Sequence, residues 1–233
     1  MRIVNVLGGL GNQMFWYAYG QKLGNCGYNI DWYSNYGSAT PRKYLLDRYH
    51  TQVRIFRQKG PKIPLPPIIK DAFDVRKQML KDLKVREEFY TSEFLDLRNR
   101  ILKSNSVSIH VRRGDKVNSH YADLGPSYYK KALEITNGDL FVFSDDIPWC
   151  KNNLGSATYV DIDECLSLEL MSLCKHNIIA NSTFSWWGAF LNTNSKKIVV
   201  APSQYFSPEF LVNSERYRAM EKYSVMPKSW IKI

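Results

Sequence analysis

The sequence predicts an α/β protein built on mostly parallel sheets, and three features carry that expectation. The chain opens with an apolar run, a glycine loop and a segment of helical periodicity. Its second half alternates short apolar runs with helix-patterned stretches. Polar clusters fall directly after several of the apolar runs. Strands separated by helical segments read as βαβ units, whose sheets are covered on both faces.

In order, residues 2–7 read as a buried strand, Gly8-Gly9-Leu10-Gly11-Asn12-Gln13 as a turn, and Met14 to Leu23 as a helix with Phe15, Tyr19 and Leu23 on one side. Ile30-Asp31-Trp32-Tyr33 is the expected second strand. Residues 34–60 are mixed and mostly basic. Pro61, Pro64, Pro66 and Pro67 mark an irregular stretch, because proline removes a backbone donor and fixes φ. Asp71 to about Arg100 looks largely helical. Ser106 to Val111 alternates with period two and predicts a strand; residues 127–136 predict a helix, and Leu140 to Phe143 a short strand. Leu166, Leu170, Leu173 and Cys174 fall at helical spacing. Asn177 to Ala180 and Ile198 to Ala201 are expected strands, with a loop and helix over Ser182 to Leu191 between them. The tail, 214–233, is expected to hold a helix that packs back on the body. There is no internal repeat.

Composition bounds the function. With 233 residues, 44% hydrophobic and 23% charged, the chain can bury a core and is not dominated by disorder. Lys and Arg outnumber Asp and Glu by 32 to 22, a net charge of +10 that favours polyanions: nucleic acid, acidic membranes or phosphorylated small molecules. A nucleic-acid module lacks support, since there is no helix-turn-helix, no RNP-like aromatic strand and no basic run. The four cysteines form no CxxC pair, which speaks against a zinc site or a disulfide framework and for a reducing compartment. No window approaches ~18 apolar residues and no signal peptide precedes the first strand, so the expected location is the cytoplasm, with peripheral contact to an acidic membrane surface.

Four constellations could carry chemistry. The glycine loop allows a ligand to approach the backbone, or is a simple tight turn; with Met14 where a third glycine would stand, it is neither a dinucleotide fingerprint nor a Walker loop. His110-Val111-Arg112-Arg113-Gly114-Asp115 follows a strand, at the end where open α/β sheets bind ligands. An arginine fork there can hold phosphate with Asp115 orienting it, or the cluster is a surface salt bridge. In Phe143-Ser144-Asp145-Asp146, with Trp149 behind, the acids suit a ribose or a guanine edge, or cap the next helix. Asn181-Ser182-Thr183-Phe184-Ser185-Trp186-Trp187 runs a strand into a helix start, an anion site by its N–H groups and hydroxyls; the tryptophans read as core. A fifth feature, Asp161-Ile162-Asp163, is a DxD of the kind that can bind metal, but Asp161 with Glu164 reads better as a helix cap.

Taken in order, Gly8 to Phe15, His110 to Asp115, Phe143 to Asp146 with Trp149, and Asn181 to Ala189 resemble the bacterial α-1,2-fucosyltransferases of glycosyltransferase family 11. The resemblance implies a GT-B-like architecture of two Rossmann-like domains with a ligand cleft between them: 1–100 on the acceptor side, 101–213 binding the donor, and 214–233 as the terminal helix. It implies inverting transfer of L-fucose from GDP-L-fucose to the 2-hydroxyl of a terminal galactose in a glycan, with no essential metal and no cofactor beyond the donor. By the same resemblance Arg112 holds the diphosphate and Arg113 and Asp115 brace it. His110 and Asp145 lie beside the nucleoside, and Ser182 and Thr183 meet the phosphates. Gly11 belongs to the donor site, and Asn12 faces the reacting sugar or acceptor. Another GDP-sugar transferase, or an inactive carbohydrate-binding relative, would carry the same donor motifs.

Overall fold

Gly8, at φ 78°, and Gly9, the N-cap, turn strand β1 (Arg2–Asn5) directly into helix α1 (Leu10–Leu23). The helix therefore starts four residues before the expected Met14, and Leu10 to Gln13 form its first turn. A side chain at Gly8 would be strained by that φ and would overlap Asn12. The coordinates, a computed structural model, describe all residues except 1, 7, 31–41, 52, 57–67, 115–120, 214, 216–217 and 219–225, and the side chains of 68–70. The chain divides into two compact units, Met1–Tyr90 and Thr91–Ile233.

In the first unit, Gly24 (φ 64°) and Asn25 (φ 45°) end α1, and β2 follows at once as Cys26–Asn29. The expected strand at 30–33 is thus displaced; Ile30 lies beyond β2 and 31–33 fall outside the described residues. Cys-Gly-Tyr-Asn has little intrinsic strand preference. Gly27 is required there because a Cβ would overlap the Phe56 ring of β3 (Arg54–Phe56), a strand the sequence did not announce. The three strands form a parallel sheet in the order β1-β2-β3. The helix expected over 71–100 is three helices: α2 (Ile68–Asp74), α3 (Arg76–Asp82) and α4 (Ser92–Lys103), with a 3₁₀ turn at Glu87–Phe89. Two contacts break it. Val85 bridges to Tyr49, and Thr91 caps α4 by accepting from Phe94 N at 3.1 Å. In the core, Tyr17 Oη donates to buried Asp82 at 2.6 Å, and Gln78 donates to the other Asp82 oxygen at 2.7 Å.

The second unit begins with α4. Its sheet has six parallel strands in the order β6-β5-β4-β7-β8-β9: β4 (Ser106–Val111), β5 (Asp139–Ser144), β6 (Thr158–Val160), β7 (His176–Ile178), β8 (Val199–Ala201) and β9 (Ile231–Lys232). Helices α5 (Pro126–Ile135), α6 (Ile147–Leu154), α7 (Glu164–Leu173), α8 (Thr183–Leu191) and α9 (Pro208–Asn213) connect them. Both faces of β4 are buried, so its alternating serines are not a solvent face: Ser108 Oγ accepts from Asn177 at 2.7 Å, and Ser106 Oγ from Lys175 N at 3.2 Å. Val107, Ile109, Val142, Ile178 and Val200 form the central core. Trp186 is core as expected, stacked on Phe190 at 4.5 Å and packed on Trp187 and Trp230. Most of the expected tail helix lies outside the described residues; the described end, 226–233, supplies β9. The four cysteines are free thiols, and burial pushes Cys174 up to about 12.

The strand order places a switch point between β4 and β7, since the chain winds outward in one direction from β4 to β6 and in the other from β7 to β9. Open α/β sheets bind ligands at the carboxyl ends of strands at such a point. Among the described residues no helix is long and apolar enough to cross a membrane.

His176, at the start of β7, generates a test. Its Nδ1 accepts from Ile198 N at 3.0 Å, and burial, then Lys175, hold its pKa below the ordinary 6.5. Between the depressed folded value and 6.5 the unfolded chain binds more protons, so stability rises with pH across that window and is flat above it. Denaturant midpoints followed downward from pH 7 should show this loss, and His176→Gln should flatten it.

Candidate active site

β4 leads into Arg112-Arg113-Gly114, and β5 into Asp145-Asp146. The register that pairs Val111 with Ser144 sets the two turns side by side. One carboxylate then joins them. Asp145 Oδ1 accepts from Arg113 N at 2.9 Å, Oδ2 accepts from Gly114 N at 3.0 Å, and Arg112 Nη1 lies 3.0 Å from Oδ2. A side chain at Gly114 would bring its Cβ to 2.7 Å from that oxygen, so only glycine permits the clasp. Arg112 and Asp145 are each about three-quarters buried, where a charge-assisted pair is stronger than at the open surface.

The second arginine is held separately. Arg113 Nε donates to Asp146 Oδ2 at 3.2 Å, and its guanidinium lies 4.5 Å over the Trp149 ring. Asp146 also caps α6, accepting from Trp149 N at 3.0 Å. Of the two readings open for these acids, Asp146 realises the cap and Asp145 braces the arginine turn. Asp115, expected as a brace, lies outside the described residues.

On the neighbouring strand, β7 leads through Asn181 into α8. Ser182 is the N-cap, its Oγ accepting from Phe184 N at 3.3 Å; Thr183 is the first helical residue and half-buried. β4 and β7 are hydrogen-bonded neighbours, so the arginine turn and the start of α8 share one sheet edge. Buried His110 touches α8, its ring 5.3 Å from that of Phe184. Asn181 has a role the motif did not reveal: its amide donates to Ala122 O at 2.7 Å and Tyr205 O at 3.1 Å, tying the segments after β4 and β8 to the helix start. Its burial beside carbonyls from distant segments has no local sequence signal.

In the first unit, Gly11 is buried and Asn12 exposed in the first turn of α1. Beside them, Gln13 is a clamp that sequence reasoning missed. It donates to Gly8 O at 3.0 Å and Lys43 O at 2.8 Å and accepts from Leu45 N at 3.0 Å.

The DxD segment caps α7, with a correction of one turn position. The cap is Asp163, whose Oδ1 accepts from Cys165 N at 2.9 Å, because the helix starts at Glu164; Asp161 is not the cap. Among the described residues no group of three or more His, Cys, Asp or Glu is arranged to hold a metal ion.

An arginine turn beside a capped helix start, at the switch point of a parallel sheet, is an arrangement in which α/β proteins take phosphorylated ligands. Comparison with known proteins says which kind of α/β protein this is. A family model described as glycosyl transferase family 11 matches residues 65–226, more than half of the chain, and the chain belongs to that family. It is 42% identical to the O-antigen biosynthesis glycosyltransferase WbnK of Escherichia coli, over 45% of this chain and 40% of that protein. It is 34% identical to an alpha-1,2-colitosyltransferase of Escherichia coli, over 56% of this chain and 48% of the relative. It is 28% identical to the galactoside 2-alpha-L-fucosyltransferase SEC1 of Bos taurus, over 46% and 38%. The chain spans less than half the length of each of these relatives.

The two aspartates of the DxD separate by a stability measurement. Asp163→Ala should cost about 1 kcal/mol as a lost cap, while Asp161→Ala should stay within roughly 0.5 kcal/mol. Urea denaturation of both variants checks it.

Proposed function

We propose that the protein is an inverting, metal-independent α-1,2-fucosyltransferase that moves L-fucose from GDP-L-fucose to the 2-hydroxyl of a terminal galactose in a glycan. The observation that carries the reading is the pairing of β4 with β7, which sets the Asp145-clasped Arg112 beside the start of α8. Family membership supplies the class of reaction, and the name of the bovine relative supports the sugar and the acceptor.

In this reading the acceptor oxygen attacks C1 of the fucosyl group from the face opposite the diphosphate. The bond from C1 to the phosphate oxygen breaks, and GDP leaves with the electron pair. Arg112, held by Asp145, meets the charge as it develops on the departing oxygen. A unit-charge pair at about 4 Å is worth roughly 4 kcal/mol at an effective dielectric of 20, a factor of ~10³ in rate. The N–H groups at the start of α8, with Ser182 and Thr183, share that load. Arg113 and Asp146 fix the turn, His110 and Asp145 border the nucleoside, and Gly11 and Asn12 contribute from the first unit. The acceptor proton goes to a general base that remains to be assigned, with Asp115 as the candidate by chemistry. Asp163 is engaged as a helix cap, so the DxD has no part in the reaction. GT-B architecture is the expected relation of the two α/β units.

A second donor is favoured by one specific finding, the 34% identity to a colitosyltransferase over a larger share of this chain than the fucosyltransferase match. GDP release measured with GDP-fucose and GDP-colitose, each with a terminal galactoside acceptor, decides between them. No release with either donor overturns the proposal.

Three outcomes follow for the site. Arg112→Lys keeps the charge but loses the fork, and turnover should fall by ~10²-fold or more in a steady-state assay. Transfer should persist in excess EDTA; complete loss restored by Mn²⁺ would return the DxD to the reaction. GDP should raise the melting temperature more than equal concentrations of ADP or UDP, because only a guanine-reading site discriminates among them.

A further inference from the structure

The positive charge of the chain is unevenly placed. Residues 1–90 carry 15 Lys and Arg against 7 Asp and Glu, a net of +8, whereas residues 91–233 carry 17 against 15, a net of +2. Much of the acid in the first unit is already engaged. Lys22 Nζ lies 2.6 Å from Asp71 and 2.8 Å from Asp74, Asp82 is buried beneath Tyr17 and Gln78, and Glu88 pairs with Arg86 at 3.3 Å.

Helix α3 shows where the unbalanced charge reaches the surface. It buries Met79 and Asp82, and Leu83 just beyond it, while Lys77, Lys81 and, past its end, Lys84 are exposed. The spacing is i, i+4, i+7, which aligns the three on one side over about 10 Å. None of the three is in an ion pair among the described residues. A merely solvated helix face usually intersperses both signs; this one presents lysine alone.

We propose that the Lys77–Lys81–Lys84 row is a docking surface for anionic phospholipid headgroups, by which the first unit rests on an acidic bilayer. The chemistry of the row favours lipid over nucleic acid. Lysine ammonium groups are compact point charges suited to separate headgroup phosphates, and residues 76–84 contain no aromatic side chain to stack a base. The inference rests on the first unit alone and is independent of the donor site in the second. Each lysine near such a surface is worth about fivefold in partition, so the three together contribute ~10²-fold.

Cosedimentation with phosphatidylcholine vesicles containing about 30% phosphatidylglycerol, against pure phosphatidylcholine vesicles, in roughly 0.1 M salt, tests it. The wild-type chain should pellet with the anionic vesicles only and should be released at roughly 0.5 M salt. The Lys77→Gln/Lys81→Gln/Lys84→Gln variant should partition ~10²-fold less, with an unchanged melting temperature and an unchanged GDP-induced shift. Equal binding to both vesicles, binding insensitive to salt, or full retention by the triple variant overturns the proposal. Single-stranded RNA that displaces the protein from the vesicles at equal phosphate concentration overturns it in favour of a nucleic-acid surface. Should the triple variant melt early, each single Lys→Gln variant, expected to lose about fivefold, gives the same reading.

Discussion

The Asp145 carboxylate holds together the end of one strand and the beginning of everything that follows it. It receives two backbone N–H groups from the turn after β4 and the guanidinium of Arg112. Those donors come from three consecutive residues, so the turn can close only where the chain lacks a side chain at Gly114. The clasp also depends on the register of β4 with β5, since a slip by one residue would turn Asp145 to the other face. Packing in the sheet is thereby coupled to the orientation of a charge at its edge.

Around that clasp the polar side chains divide the work. Asp146 holds Arg113 and starts α6, Asn181 gathers two distant segments at the start of α8, and Ser182 caps that helix. In an interior of low effective dielectric, unmet donors and acceptors are costly, and a satisfied network specifies one arrangement. The short strands β7 and β8 carry these groups at their carboxyl ends, which is why few residues of regular structure suffice to position them.

The sequence made the second unit more legible than the first. β4 was read with its observed bounds because six alternating residues between breaks leave little choice, and β8 and α8 were read to within a residue or two. That same alternation suggested an outward polar face, yet Ser106 and Ser108 are buried because Asn177 and Lys175 supply their partners. Local pattern reports polarity; only the fold reports who answers it. In the first unit β2 was invisible because its residues are weak strand formers selected for close approach to Phe56. The helix after residue 70 was overextended because a long-range bridge from Val85 to Tyr49 interrupts it. The site motifs were visible as residue types, but the brace by Asp145, the three-segment tie of Asn181 and the clamp of Gln13 depend on partners 24 to 59 positions away and on strand register.

Trp149 gives the chain a spectroscopic property of its own. Its indole is only half-buried, with the Arg113 cation over its face and Tyr129 at its edge, 6.0 Å between ring centres. Trp186, Trp187 and Trp230, by contrast, are sealed in an apolar cluster. Indole emission shifts with nearby charge and water, so these rings form a steady background against which one luminescent reporter stands beside the arginine turn, able to register an arriving anion without any attached dye.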